Sequence, residues 1–175
     1  MAAGNTYTPL ATSTLSGAQP SVSFASISGS YTDLVLVASN LTTSINGSNF
    51  YFRCGNGTAD TGSNYSVTLI SGDGTTAASG RQATQTKIIA GGFYAGISNS
   101  TSYPAQVVIN LMNYANTTTY KTILSRDAIA GSSSGAAEAF VGLWRSTSAI
   151  NIITVSPDSG NFSTGTFTLY GILAA

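Results

Sequence analysis

Alternation with a period of two runs through almost the whole chain and leaves little room for anything but an all-β fold. "SVSFASI" (21–27) sets Val22 and Phe24 against serines, and "YSVTLIS" (65–71), "AQVVINLMNY" (105–114), "TYKTILS" (119–125), "AINIITVS" (149–156) and "TFTLYGIL" (166–173) repeat the pattern. Successive side chains of a strand point to opposite faces, so each run offers one apolar face to a core. "YTDLVLVASNL" (31–41) is apolar at consecutive positions in its middle, as a strand covered on both faces should be. "NFYFRC" (49–54) and "TKIIAGGFYAGIS" (86–98) add two more, the second interrupted by Gly91-Gly92, which predicts a bulge or sharp bend. The strongest helical stretch is "GAAEAFVGLWR" (135–145). It also alternates, and the internal Gly142 disfavours a helix, so it reads as a strand.

Turn residues separate these runs: Ser28-Gly29, Asn46-Gly47, Asn56-Gly57, Asp73-Gly74, Ser133-Ser134-Gly135 and Asp158-Ser159-Gly160. Such pairs tolerate the positive φ that tight hairpins require. About ten short strands spaced by turns predict an antiparallel β-sandwich, jelly-roll-like in outline. Residues 1–18 read as an extended N-terminal arm or edge strand, and 19–175 as a single sandwich domain.

Charge is the compositional outlier: six basic and six acidic side chains make up 7% of 175 residues, against roughly 25% in an average soluble domain. No basic patch is available to neutralise phosphates, so nucleic acid is not an expected partner. The longest apolar runs, such as "LVLVA" (34–38), fall far short of the ~20 residues of a membrane helix, and no membrane partner is expected. The first fifteen residues lack the basic and apolar regions of a secretory signal, so the expectation is synthesis in a cytoplasm without export by that route. A surface solvated by Ser, Thr, Asn and Gly repels other copies weakly and favours close packing between them.

Histidine is absent, which removes Ser-His-Asp and Cys-His catalysis and imidazole ligation of metals. Cys54 is alone and reads as a small buried strand residue. Lys87 and Lys121 leave a Ser-Lys pair formally open, although Lys121 in its alternating strand reads as solvated or snorkelling. Among the acids, Asp60, Asp73 and Asp158 lie in turns, Asp33 opens a strand, Asp127 follows Arg126 as part of a surface patch, and Glu138 lies in a strand. Hydrolysis of glycosides needs two of these to meet in a cleft. Asp60, Asn64 and Asp73 are the only calcium-type grouping, and turn chemistry is their default reading. The reading is therefore non-enzymatic, with no cofactor and no metal. Of nine tyrosines, Tyr7, Tyr103 and Tyr114 neighbour proline or turn residues and are the candidates for exposure, with ordinary strand packing as their default reading. Tyr170 and Ile172 alternate with Phe167 and Leu169, so the last strand has two apolar faces. These five residues, Tyr7, Tyr103, Tyr114, Tyr170 and Ile172, are the candidate subunit or partner contacts.

The order "SVSFASI", "YTDLVLVAS", "TGSNYSVTLISGDG", "NYANTTTYKT" and "WRSTSAINIITVSPDSGNFSTGTFTLYGI" resembles the β-sandwich virion structural proteins of tailed bacteriophages, over nearly the whole chain. The final "GNFSTGTFTLYGI" carries most of the likeness. The resemblance implies a place on the virion and no catalytic residues. It also implies a homo-oligomer, a homotrimer first, in contact with the major capsid protein or other virion proteins. The expected role is a capsid decoration or cement protein, with strand addition by the N-terminal arm among its means of bridging shell subunits. The alternative is a tail or fibre module that binds host-surface glycans through exposed aromatics.

Overall fold

The computed structural model describes residues 6–130 and 135–173. Its described residues form thirteen strands and no helix: β1 (Tyr7–Thr14), β2 (Val22–Phe24), β3 (Asp33–Thr43), β4 (Phe50–Asn56), β5 (Thr58–Ala59), β6 (Tyr65–Gly72), β7 (Ala77–Gln85), β8 (Ile88–Gly91), β9 (Ala105–Met112), β10 (Lys121–Ala130), β11 (Gly135–Trp144), β12 (Ile152–Pro157) and β13 (Phe162–Ile172). They make an antiparallel β-sandwich of two unequal sheets. The larger runs β1-β13-β3-β9-β10-β11-β6-β7, and the smaller runs β2-β12-β4-β5 with β8 also paired to β4.

The alternation places the core. Leu34, Leu36, Val107, Ile109, Leu111, Ile123, Phe140, Phe167 and Leu169 point inward from the large sheet, and Val22, Phe24, Phe50, Phe52, Ile153 and Val155 from the small one. Phe50, Phe162 and Phe167 join the layers, with ring centroids 5.6 Å apart for the first pair and 5.2 Å for the second. A side chain at Gly171 would begin 2.5 Å from the Tyr31 ring, so glycine at this inward position of β13 lets that ring close over the strand.

Residues 135–144 are a strand, paired along their full length with β10 and β6. Several elements differ from the expectation. Residues 77–85, which show no apolar alternation, form the edge strand β7. The run expected over 86–98 is a strand only from Ile88 to Gly91, after which the chain turns at Gly92 with φ +74°. β13 begins four residues earlier than its alternation suggests, at Phe162. Asn-Gly and Asp-Gly turns carry positive φ at Gly47, Gly57 and Gly74, whereas the Ser133-Ser134 turn lies outside the described residues.

The N-terminal residues 7–14 are an edge strand, antiparallel to β13. Hydroxyl pairs reinforce this ladder, Thr12 with Thr168 and Thr14 with Thr166, each at 3.2 Å.

The Phe167 ring is fully buried between the sheets, so Phe167→Ala leaves a cavity where they meet. We expect the change to cost about 3–5 kcal/mol, read as a lower urea midpoint at unchanged m-value.

Candidate functional site

Three of the five candidate contacts meet at one corner. Tyr7 lies opposite Ile172 in the β1–β13 register, and its ring stands edge-on to Tyr170, with centroids 6.1 Å apart and planes at 73°. Tyr103 is half-buried in the loop before β9. Tyr114 is a correction. It is fully buried, and its hydroxyl donates to the Ser28 carbonyl, because the turn that follows β9 folds inward over the end of the core.

Tyr170 and Ile172 belong to a larger surface, the outer face of the eight-stranded sheet. One cross-sheet row on that face reads Tyr170, Val35, Asn110, Leu124, Val141, Thr68. The next reads Thr168, Val37, Val108, Arg126, Ala139, Ile70. Met112, Val141, Ile70 and Leu124 are 53%, 52%, 63% and 41% exposed. The charged side chains on these strands that share the face are Asp33, Arg81 and Arg126, and Asp33 accepts the Asn113 backbone N–H at 2.7 Å. The outer face of the small sheet differs in kind. It carries the Ser23–Thr154 hydroxyl pair at 2.9 Å, Arg53 bonded to the Thr86 carbonyl, and Lys87 3.6 Å above the Tyr51 ring. Apolar surface of the first kind, contiguous across several strands, marks an interaction site.

The groups with chemical potential are mostly spent on structure. Lys121 is buried rather than solvated, and its ammonium donates to the Thr119 and Thr147 carbonyls. Asp60 accepts hydrogen bonds from Gly62, Asn64 and the Trp144 indole at 2.7–2.8 Å. Desolvation pushes its pKa up, but the bonds from Trp144, Asn64 and Gly62 outweigh that and hold it below the ordinary value. Asp73 accepts from Thr75, Thr76 and the Tyr94 hydroxyl. Asn64 and Asp73 flank β6 at opposite ends, so the calcium-type grouping is not brought together. Asp158 bonds Ser48 and Asn49 and ties the turn after β12 to the loop before β4. Among the described residues no group of three or more His, Cys, Asp or Glu is placed to hold a metal ion.

One pairing escaped the sequence. Asp127 is not part of a surface patch with Arg126, because neighbours along a strand face opposite sides and Asp127 takes the inner one. It lies directly across the ladder from Glu138, and the two are only 8% and 4% exposed. Neither Glu138 oxygen is idle: Oε2 accepts from Phe93 N–H and Oε1 from Tyr94 N–H, both at 2.8 Å. Asp127 Oδ2 accepts from Gly92 N–H at 2.5 Å, while Oδ1 receives no donor. Burial pushes the Asp127 carboxyl up to about 8, with the charge of Glu138 adding to the rise and the Gly92 N–H pulling against it. Next in the same row is Ser71, whose buried hydroxyl also lacks a partner. The parity of 123, 125, 127 and 129 was the available signal, since Ile123 and Ile129 fix the inward face.

No protein-family model, no curated protein and no solved structure matches this chain.

Cys54 is fully buried in β4, and burial pushes its thiol well above the ordinary range. Its backbone N–H and carbonyl are both engaged by the buried Tyr65 hydroxyl. A thiol reagent is therefore expected to label Cys54 only as fast as the fold opens. Fast labelling under native conditions would contradict that placement.

Proposed function

We propose that this protein is a non-enzymatic structural component of a tailed-phage virion, a capsid decoration protein that acts by burying surface rather than by chemistry. The observation that carries the reading is the outer face of the eight-stranded sheet, where Leu124, Val141, Ile70 and Met112 are exposed among few charges. The occupant of that face is a second copy of the same chain. Eight strands about 4.8 Å apart, sharing about seven residues at about 3.4 Å each, give a face of about 800 Å². A stable protein interface takes about 800 Å² from each partner. With a net charge of zero, copies of the chain do not repel one another as they approach. The likeness of the sequence to virion β-sandwich proteins supplies the setting; a threefold assembly, the first expectation, sets this face against a different surface of the next copy rather than against itself. Residues 7–14 already pair with β13, so contacts made by this segment use its free edge and the Tyr7 ring rather than release of an arm.

The glycan-binding alternative draws on the exposed Phe93, Tyr94 and Tyr120. Trp144, the best stacking residue for a sugar, is buried with its indole on Asp60, so the decoration reading stands ahead.

Two measurements test this. Quantitative mass spectrometry of purified virions should give copies in number comparable to the major capsid protein, and a count of a few to a few tens would replace decoration with a tail or fibre module. In solution the wild-type chain should run as an oligomer. The pair Leu124→Glu and Val141→Lys should run as a monomer whose intrinsic stability changes by no more than about 0.5 kcal/mol per site, because both side chains are exposed within the single chain. A wild-type monomer at all concentrations would remove the second copy from the reading.

A further inference from the structure

The carboxyl pair of Asp127 and Glu138 has no counter-charge on its own side of the sheet. Arg126 points to the outer face, and Lys121 is committed to two carbonyls at the far end of β10. The elements packed around Asp127 bring only neutral groups: Val107 from β9, Phe50 from β4, Gly91 from β8 and the Ser71 hydroxyl from β6 in the same row. On the segment held by the pair, the titratable group is the Tyr94 hydroxyl, which donates to Asp73 at 2.9 Å. Instead of a cation, three successive backbone N–H groups, those of Gly92, Phe93 and Tyr94, converge on the pair. The positive φ of Gly92 turns the chain so that all three point the same way, a concave anion-binding arrangement of amides.

Two buried carboxylates side by side, with no cation between them, would be strongly destabilising. A single proton removes most of that cost. It neutralises one acid, lets it donate to the other, and gives the orphaned Asp127 Oδ1 a role. The segment gripped in this way carries two exposed aromatic side chains, Phe93 and Tyr94. Gly96 closes its far end, where a Cβ would begin 2.4 Å from Gly47. A buried acid pair is an expensive anchor for an ordinary loop, and it makes sense if the position of the aromatic pair has to be conditional.

We propose that Asp127 and Glu138 form a proton-held latch that fixes the 92–94 segment, so that presentation of Phe93 and Tyr94 to a partner is switched by loss of one shared proton. The latch is closed while the proton is present. The folded-state pKa of Asp127 is raised, so the native chain keeps a proton that the unfolded chain has released, and this group's contribution to stability falls as pH climbs from the usual carboxylate range to about 8, then levels off. Opening of the segment follows the upper end of that window. The latch does not depend on where the protein resides, and it stands or falls separately from the virion reading.

The test is amide hydrogen exchange on the intact protein, with protection corrected for the intrinsic effect of pH. It is read for Gly92, Phe93 and Tyr94 against the β9 amides at about pH 6 and about pH 9.5, either side of the Asp127 value. The wild type should lose about tenfold or more of its protection in the segment at the higher pH, with β9 unchanged. Asp127→Asn should hold its protection at both values, because its amide donates to Glu138 permanently while its carbonyl still accepts from Gly92. Tyr94→Phe, which removes the bond to Asp73, should keep the wild-type pH response. Equal wild-type protection at both values, or an Asp127→Asn response like that of the wild type, would overturn the latch. Protection at high pH that returns on adding calcium chloride would also overturn it, by making the pair a cation site.

Discussion

The contact on which the rest of the molecule depends is the one between Phe50 on the small sheet and Phe162 and Phe167 on β13. An eight-stranded sheet by itself has two wet faces and no core. It becomes a domain only because a smaller sheet lies across one of them, and the aromatic triple sits where that cover is attached. β13 supplies two of the three rings and also pairs with β1 and β3, so one strand carries both the ladder and the inter-sheet packing. The double demand explains its composition. Phe162, Phe167 and Leu169 serve the core, Gly171 makes room for Tyr31, and Thr166, Thr168, Tyr170 and Ile172 serve the other face.

Scarcity of charge shapes everything else. With few ion pairs to draw on, buried polar atoms are satisfied by the backbone: Tyr65 by both main-chain groups of Cys54, Lys121 by two carbonyls, and Glu138 by two N–H groups. Such bonds are short-ranged and tie one local segment to one neighbour at a time. The exceptions are informative. Ser71 Oγ and Asp127 Oδ1 remain without partners, and they flank Glu138 in a single row. Imperfect satisfaction concentrated at one place, in a molecule that is careful elsewhere, separates a working element from packing.

How much of this was legible in the sequence depended on whether a residue's neighbours along the chain or across the sheet decided its fate. Strands bearing one apolar face announced themselves, and residues 135–144 were read as a strand against their helix-forming composition because Phe140 and Trp144 keep the parity. β7 did not, since an edge strand that buries little has no reason to alternate. Tyr114 was misjudged because adjacency to turn residues says nothing about whether the turn folds inward. Asp127 failed for a sharper reason. Its neighbour Arg126 is closest in sequence, but on a strand the nearest neighbour is on the wrong face. Its real partner lies eleven positions on, across the β10–β11 ladder. The pairing of the two acids is therefore a property of the ladder and not of any motif.

The two outer faces of the sandwich give it a direction. The large sheet offers aliphatic side chains in cross-strand rows, with Arg126 as the charge in their midst, while the small sheet offers hydroxyls, Arg53 and Lys87. In an assembly built on the first face, the second turns away from the neighbouring copy and toward solvent. The 92–94 segment leaves the small sheet at the end of β8 and folds over the inner face of β10 and β11, so its aromatic pair does not compete with Leu124 and Val141 for the same contact. Self-association and conditional presentation of Phe93 and Tyr94 are thus compatible in one chain. The ladder between β10 and β11 carries Leu124 and Val141 on its outer side and Asp127 and Glu138 on its inner side.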